Sequence, residues 1–111
     1  MRVYRVECAH GDGPYRGPNK IVRMCKRHNG HEKRPSPMFD GLVVWDLPVS
    51  FVCGFNDVIT LKAWFRGWPK QLRQAGFAIS VYTVPQDDVR VGERQIMFDT
   101  KKAKYLSCIS F

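Results

Sequence analysis

The chain has little acidic charge and no long hydrophobic segment. Only 10 Asp and Glu residues accompany 18 Lys and Arg residues, which gives a formal net charge of +8. No apolar run approaches the roughly 20 residues that a membrane span requires. The N-terminal stretch MRVYRVECAH carries an Arg and a Glu where a secretion signal needs a continuous apolar segment. We therefore expect a soluble, cytoplasmic protein with no membrane partner.

The chain also lacks a paired cysteine pattern and the common catalytic motifs. Its four cysteines, Cys8, Cys25, Cys53 and Cys108, are widely and irregularly spaced, which is typical of reduced thiols in a chain without a secretion signal. Neither Gly-x-Ser-x-Gly nor Gly-x-x-x-x-Gly-Lys occurs. The glycine-rich turn GDGPYRG does not lead from a strand into a helix. No motif of this kind therefore assigns an activity.

The chain length and composition predict one domain with a real core. A chain of 111 residues has room for one domain, and 44% hydrophobic with 13% aromatic residues excludes a disordered chain. The pattern predicts two consecutive helices at about 57–66 and 69–75, lying in a block between strands. That arrangement indicates an α+β fold with a mostly antiparallel sheet. The predicted strands are residues 2–8, 49–55, 77–84, 89–91 and 94–98, with a further strand in the tail and an extended edge at 42–45.

Positive charge is concentrated in an irregular segment at about residues 11–37. Between positions 16 and 34 only Glu32 opposes seven cations. A field of this sign attracts phosphates or acidic protein surfaces; the alternative is a solvated loop that keeps a small protein soluble. A short helix is expected within Lys20–Arg27. The binding candidates are Arg16, Lys20, Arg23, Lys26, Arg27, Lys33 and Arg34.

Cysteine and histidine residues near this segment suggest a zinc site. Sulfur and imidazole are the ligands that Zn²⁺ prefers, and four ligands complete a tetrahedral site. The spacing matches no standard zinc finger, so the alternative is small core cysteines and histidines in a wet loop. The candidate ligands are Cys8, His10, Cys25 and His28, with His31 as a fifth donor.

Several motifs resemble a group of small proteins found in bacteriophages and prophages. The matching stretches are VYRVE, GPYRG, RPSPMFDG, CGF, LKAWF, QAGFAISVYTVP and ERQIMF. Together they span nearly the whole chain. The resemblance implies a phage accessory protein rather than a host housekeeping enzyme, and it brings no activity with it.

The layout is also similar to a reduced ADP-ribosyltransferase fold. By position, the resemblance implies that Arg5 on the first strand binds the phosphates or ribose of NAD and that Ser50 lies on a middle strand. The late acidic position of that fold falls at Glu93 or Gln95. An amide at Gln95 cannot stabilise the oxocarbenium-like transition state of nicotinamide loss. Either Glu93 acts in a shifted register or the scaffold is inactive. The alternative for Arg5 is an exposed residue on an alternating strand.

These observations favour a protein that acts by binding. We expect the basic segment to contact nucleic acid or the acidic or RNA-bearing surface of a host complex, and we expect no cofactor. Inhibition of a host defence system of the CRISPR or restriction type is the leading hypothesis. The alternatives are an NAD-dependent ADP-ribosyltransferase and a zinc-stapled interaction module.

Overall fold

The computed structural model, which describes residues 1–31, 33–42 and 44–111, has three layers. Six strands form two antiparallel three-stranded sheets, and three short helices cover one of them. The helices are α1 (Val22–His28), α2 (Val58–Trp64) and α3 (Pro69–Gln74). The strands are β1 (Arg2–Glu7), β2 (Phe51–Gly54), β3 (Ala78–Thr83), β4 (Val89–Val91), β5 (Ile96–Asp99) and β6 (Lys104–Ile109). Short 3-10 turns occur at Pro37–Asp40 and Gln86–Asp88.

A backbone bridge between Tyr4 and Phe55 links the two sheets. The first sheet has the order β1-β3-β6 and the second has the order β2-β5-β4. Tyr4 of β1 and Phe55, which follows β2, exchange two backbone hydrogen bonds of 2.8 Å each. A Cβ on Gly54 would lie 2.9 Å from the carbonyl oxygen of Tyr4. Glycine at this position therefore permits the close approach of the two sheets.

The first sheet is the middle layer, because its two faces bury different cores. Val6 and Ile79 point towards the helices, whereas Val3 on the opposite face belongs to a smaller core with Ile96 and Phe98 of the second sheet. The larger core contains most of the buried aromatic residues: Phe55, Trp64, Phe65, Trp68 and Phe77. Burial of these large side chains supplies most of the hydrophobic driving force.

The α2–α3 hairpin follows its predicted signals closely. The Asp57 carboxylate accepts a hydrogen bond of 2.6 Å from the Thr60 N–H and so caps α2. Gly67 takes a positive φ of 90° between the helices, and Pro69 occupies the first turn of α3, where its missing N–H costs nothing. Leu61 and Leu72 are completely buried. The expected helices at about 57–66 and 69–75 are thus confirmed.

The α+β class and the antiparallel pairing are confirmed as well. β3 is the central strand of the first sheet, as its continuous apolar sequence predicts. The extended edge expected at 42–45 is not a strand at residues 42, 44 and 45, while Val43 lies outside the described residues. Within this segment Leu42 is buried, whereas Trp45 is exposed. All four cysteines are free thiols.

Candidate functional site

Helix α1 carries the centre of the predicted basic surface. Met24 is completely buried in the larger core and His28 is also buried, whereas Arg23, Lys26 and Arg27 are exposed. Residues one helical turn apart lie on the same face, so this spacing separates an inner from an outer side. The two cations in the last turn also interact favourably with the negative end of the helix dipole. A rigid platform therefore presents the three cations to solvent.

The other predicted binding residues surround α1. Arg16, Lys20 and Lys33 are exposed. Arg34 is half-buried, and its Nε donates a 2.6 Å hydrogen bond to the carbonyl oxygen of Trp64. The seven predicted cations make no ion pair with any carboxylate among the residues that the structure describes. We call the seven residues, Arg16, Lys20, Arg23, Lys26, Arg27, Lys33 and Arg34, the cationic face.

A buried hydrogen-bond chain fixes α1 against α2. The Trp64 Nε1–H donates to the Tyr15 hydroxyl at 2.7 Å, and the Tyr15 hydroxyl lies 2.6 Å from His28 Nδ1. Because the tyrosine oxygen accepts from the indole, its own proton is available for His28 Nδ1. The proton of the neutral imidazole therefore lies on Nε2, and this buried atom has no hydrogen-bond partner among the described residues.

The surroundings of this hydrogen-bond chain keep the His28 imidazole and the Tyr15 hydroxyl neutral. Burial lowers the pKa of His28 to about 4, with Arg34 and His31 adding to the effect. Burial likewise raises the pKa of Tyr15, although the hydrogen bond from Trp64 opposes the shift. The His28 ring also lies edge-on to Trp68, with ring centroids 6.5 Å apart. His28 is therefore a neutral part of the core, and sequence alone gave no signal of its partner Tyr15.

Arg5 occupies the crevice between the two sheets. The alternative of an exposed Arg5 is wrong, since only 12% of its side chain is exposed and its Nε forms a 3.0 Å ion pair with Glu7. Its Nη1 donates to the carbonyl oxygen of Cys53 at 2.7 Å, and its Nη2 donates to that of Gly11 at 3.4 Å. The Tyr82 hydroxyl in turn donates to the second oxygen of Glu7. The guanidinium thus joins the first sheet, the second sheet and the 11–13 loop.

The other two residues of the enzyme hypothesis lie at different ends of the β2–β5 ladder. Ser50 precedes the pair Phe51–Asp99 and accepts hydrogen bonds from Thr100. Glu93 precedes Ile96, which pairs with Gly54 at the opposite end. Four residue pairs at about 3.3 Å each separate those ends. Arg5 and the segment before β5 share one end of the ladder, and Ser50 lies at the other.

The predicted zinc ligands are placed in different surroundings. Cys8 is buried in the larger core, while His10 is exposed. The Cys25 thiol lies 3.7 Å from the carbonyl oxygen of Pro14, and His28 is bound to Tyr15. Within the described part of the chain, no group of three or more His, Cys, Asp or Glu side chains is placed to hold a metal ion.

Sequence reasoning missed a buried carboxylate at Asp40. Its two oxygens accept hydrogen bonds of 2.9–3.0 Å from the N–H groups of Arg94 and Gln95, and its carbonyl oxygen accepts from Glu93 N–H at 3.1 Å. A Cβ on Gly92 would overlap Asp40 Oδ2. The motif RPSPMFDG signals a rigid turn, but nothing in it points to a partner more than 50 residues away.

The complete chain matches a known phage family. The family model described as Bacteriophage T4 Y00F protein matches residues 1–111. No curated protein matches the chain, and no solved structure does. Among the described helices none is long and apolar enough to cross a bilayer.

Proposed function

Because the chain belongs to the Bacteriophage T4 Y00F protein family, we propose that it is a phage accessory protein that acts by binding in the cytoplasm of the bacterial host. The cationic face contacts the phosphates of a nucleic acid, which is either free or part of a host complex. The task that follows from such binding is inhibition of a host complex that handles nucleic acid, such as a CRISPR or restriction system.

The observation that carries this proposal is the combination of exposure and anchoring at α1. Arg23, Lys26 and Arg27 point to solvent from a helix that Met24 and His28 hold in the core. A surface whose backbone is already ordered loses less conformational entropy on binding than a mobile basic tail. This supports recognition of phosphates in a defined geometry rather than diffuse attraction.

An aromatic ring beside the cationic face extends the proposal to single strands. Tyr15 precedes Arg16, and its hydroxyl is held by Trp64 and His28 while 37% of the residue remains exposed. Its ring lies nearly parallel to Phe65, with centroids 6.0 Å apart. Proteins that hold single-stranded nucleic acid combine a basic groove with rings on which bases stack. Tyr15 is positioned to supply such a ring.

The enzyme and zinc alternatives have less support. In an ADP-ribosyltransferase Arg5 would hold NAD, but Glu7 and two backbone carbonyls already occupy its guanidinium. Ser50 lies at the other end of the ladder, so the residues present do not fit NAD and no catalytic step is assigned. Incubation with NAD and a host lysate, with Glu93→Ala as control, measures nicotinamide release directly. Metal analysis after gel filtration decides the zinc alternative, because a structural ion stays bound at about one per chain.

Charge reversal with a matched control tests the binding proposal. One triple variant carries Arg23→Glu, Lys26→Glu and Arg27→Glu on α1. The control carries Lys101→Glu, Lys102→Glu and Lys104→Glu, which are equally exposed but lie on the β5–β6 turn and β6. Each triple lowers the formal net charge from +8 to +2. Affinity for labelled single- and double-stranded DNA and RNA is measured between 50 and 200 mM salt, values chosen because phosphate binding weakens steeply over about that range.

We expect the α1 triple to lose binding and the control to keep most of it. For duplex DNA, the slope of log affinity against log salt should also fall by about 0.9 for each phosphate that the variant no longer neutralises. If both triple variants lose the same affinity, the effect comes from the net charge alone and the proposal is overturned. Thermal unfolding of both variants verifies that the domain remains folded. Tagged protein purified from a bacterial host, with and without nuclease, then identifies the complex that is bound.

A further inference from the structure

A second exposed surface lies on the opposite side of the first sheet from α1. Phe39 and Trp45 are 79% and 80% exposed, and Met38 and Val49 are also exposed. They belong to the segment 38–49, which follows the prolines of RPSPMFDG. Exposed aromatic side chains close together in sequence are uncommon on a protein surface that contacts only water. They are the residue types enriched at the centres of protein–protein interfaces.

The start of this segment is held rigidly. The Asp40 carboxylate accepts from the N–H groups that precede β5, and Gln95 Nε2 donates to the carbonyl oxygen of Pro35 at 2.7 Å. Pro37 begins the 3-10 turn, and Gly41 ends it with a positive φ of 83°. The exposed Phe39 ring is therefore presented by a fixed backbone, which reduces the entropy lost on binding.

A cleft of about 670 Å³ is lined in part by Asp46, the residue that follows Trp45. Its apolar walls come from Leu42, Leu47 and Pro48, from Phe51 at the start of β2 and from Val91 at the end of β4. Asp46 and Asp88 also line it, and neither forms an ion pair among the described residues. Arg90 lines it too, but its guanidinium donates to the carbonyl of Asp87 at 2.8 Å and lies over the Phe51 ring.

We propose that this cleft binds a basic, amphipathic segment of a partner protein. An apolar side chain of that segment enters between Leu42, Leu47 and Phe51, and a Lys or Arg beside it meets Asp46 and Asp88. Trp45 is exposed and directly precedes Asp46, so we expect its indole to cover the aliphatic stem of that cation and to attract its charge. The choice of a basic partner follows from charge complementarity, because two free carboxylates repel the phosphates of a nucleic acid.

The proposal does not depend on the nucleic-acid proposal, since the two surfaces use different residues. α1 packs on the helical face of the first sheet, and the cleft lies on the second sheet. Reversal of the α1 charges is therefore expected to leave cleft binding intact. Together, the two surfaces suit a chain that joins a basic protein to a nucleic acid.

Two model peptides test the chemistry of the cleft. One is an 18-residue amphipathic peptide built from Leu and Lys, and the other has Glu in place of every Lys. Binding of the fluorescein-labelled peptides to the full chain is measured by anisotropy at two salt concentrations. We expect the Lys peptide to bind at least tenfold more tightly than the Glu peptide. Trp45→Ala should weaken it about tenfold, as for the anchor residues of other interfaces.

The control and the polar variants make the test specific. Ile59→Ala removes an equally exposed apolar side chain from α2 and should leave peptide affinity unchanged. Asp46→Asn with Asp88→Asn should weaken binding a few-fold and remove most of its salt dependence. The proposal is overturned if the Glu peptide binds as tightly, or if Ile59→Ala and Trp45→Ala have equal effects. It is also overturned if sedimentation shows a concentration-dependent self-association that Trp45→Ala abolishes, because a second copy of the chain would then cover the cleft. A loss of nucleic-acid affinity in Trp45→Ala would overturn it as well.

Discussion

The two surfaces of this protein are attached to the fold in different ways. Beneath the cationic face, α1 is held by Met24 in a large aromatic core and by the hydrogen-bond chain through Tyr15 and His28. Beneath the second exposed surface, which carries Phe39 and Trp45, the start of the segment is held by Asp40 and Gln95, and the nearby core is small. The first attachment leaves one buried polar atom without a partner among the described residues. In the second, one carboxylate accepts hydrogen bonds from two backbone N–H groups.

The difference shows that packing and hydrogen bonding can substitute for each other in fixing an irregular segment. A large core tolerates a buried polar group that lacks a hydrogen-bond partner. The missing hydrogen bond costs about 1–3 kcal/mol, whereas the burial of apolar surface contributes many times that free energy. A small core buries less apolar surface and so gains less free energy, and each of its buried polar groups therefore needs a hydrogen-bond partner. The two regions should therefore respond differently to mutation and to acid.

Asp40→Ala should give the largest loss of stability. The substitution leaves the N–H groups of Arg94 and Gln95 without their acceptor in a buried site, and a charged acceptor is worth more than a neutral one. We expect the free energy of unfolding to fall by about 4 kcal/mol, measured by urea denaturation. Gly92→Ala should act in the same direction, because its Cβ would overlap Asp40 Oδ2. Retention of wild-type stability in both variants would contradict this attachment.

Acid should weaken the α1 side through His28. Its pKa is about 4 in the folded protein and about 6.5 in an unfolded chain, so the unfolded state binds more protons between these values. Stability is fully present above pH 6.5 and is lost as the pH falls towards 4, by about 3 kcal/mol in total. Unfolding curves at several pH values measure the loss. His28→Asn, which keeps an acceptor for Tyr15, should flatten the dependence; an identical pH profile would refute the assignment.

Tyr15→Phe should give the smallest of the three effects. The variant preserves the ring that packs on Phe65 but removes the hydroxyl between Trp64 and His28. Two buried groups then lack a partner, and we expect a loss of about 2 kcal/mol by denaturant unfolding. If the ring alone fixes this region, the loss will be near zero. Nucleic-acid affinity should change little at neutral pH, because the stacking surface is retained.

Local sequence signals were sufficient for much of the fold. Each signal for the two helices acts within a few residues of the chain: the apolar spacing of Leu61 and Trp64, the cap at Asp57 and the proline at 69. The structure has α2 and α3 where these signals predict them. The separation of Arg23, Lys26 and Arg27 from Met24 on α1 is of the same local kind.

The rest depends on contacts between distant parts of the chain. Asp40 contacts Arg94 and Gln95, which are more than 50 positions away, and the register of the β2–β5 pairing decides that Ser50 and Glu93 lie apart. The exposure of Trp45 could not be predicted either, since hydrophobic residues are usually assigned to the core. Both surfaces are therefore properties of the tertiary structure.

The pairing of β1 with β3 has a consequence for synthesis in the host. Each residue of β1 pairs with one that lies roughly 70 to 80 positions later, and Val84 accepts a hydrogen bond from the amino group of Met1. At about 5–20 residues per second, the ribosome exposes the first strand for several seconds before its partner is made. Contacts of such long range also slow folding itself. The nascent chain therefore emerges with β1 unpaired, and the first sheet forms only after β3 has been synthesised.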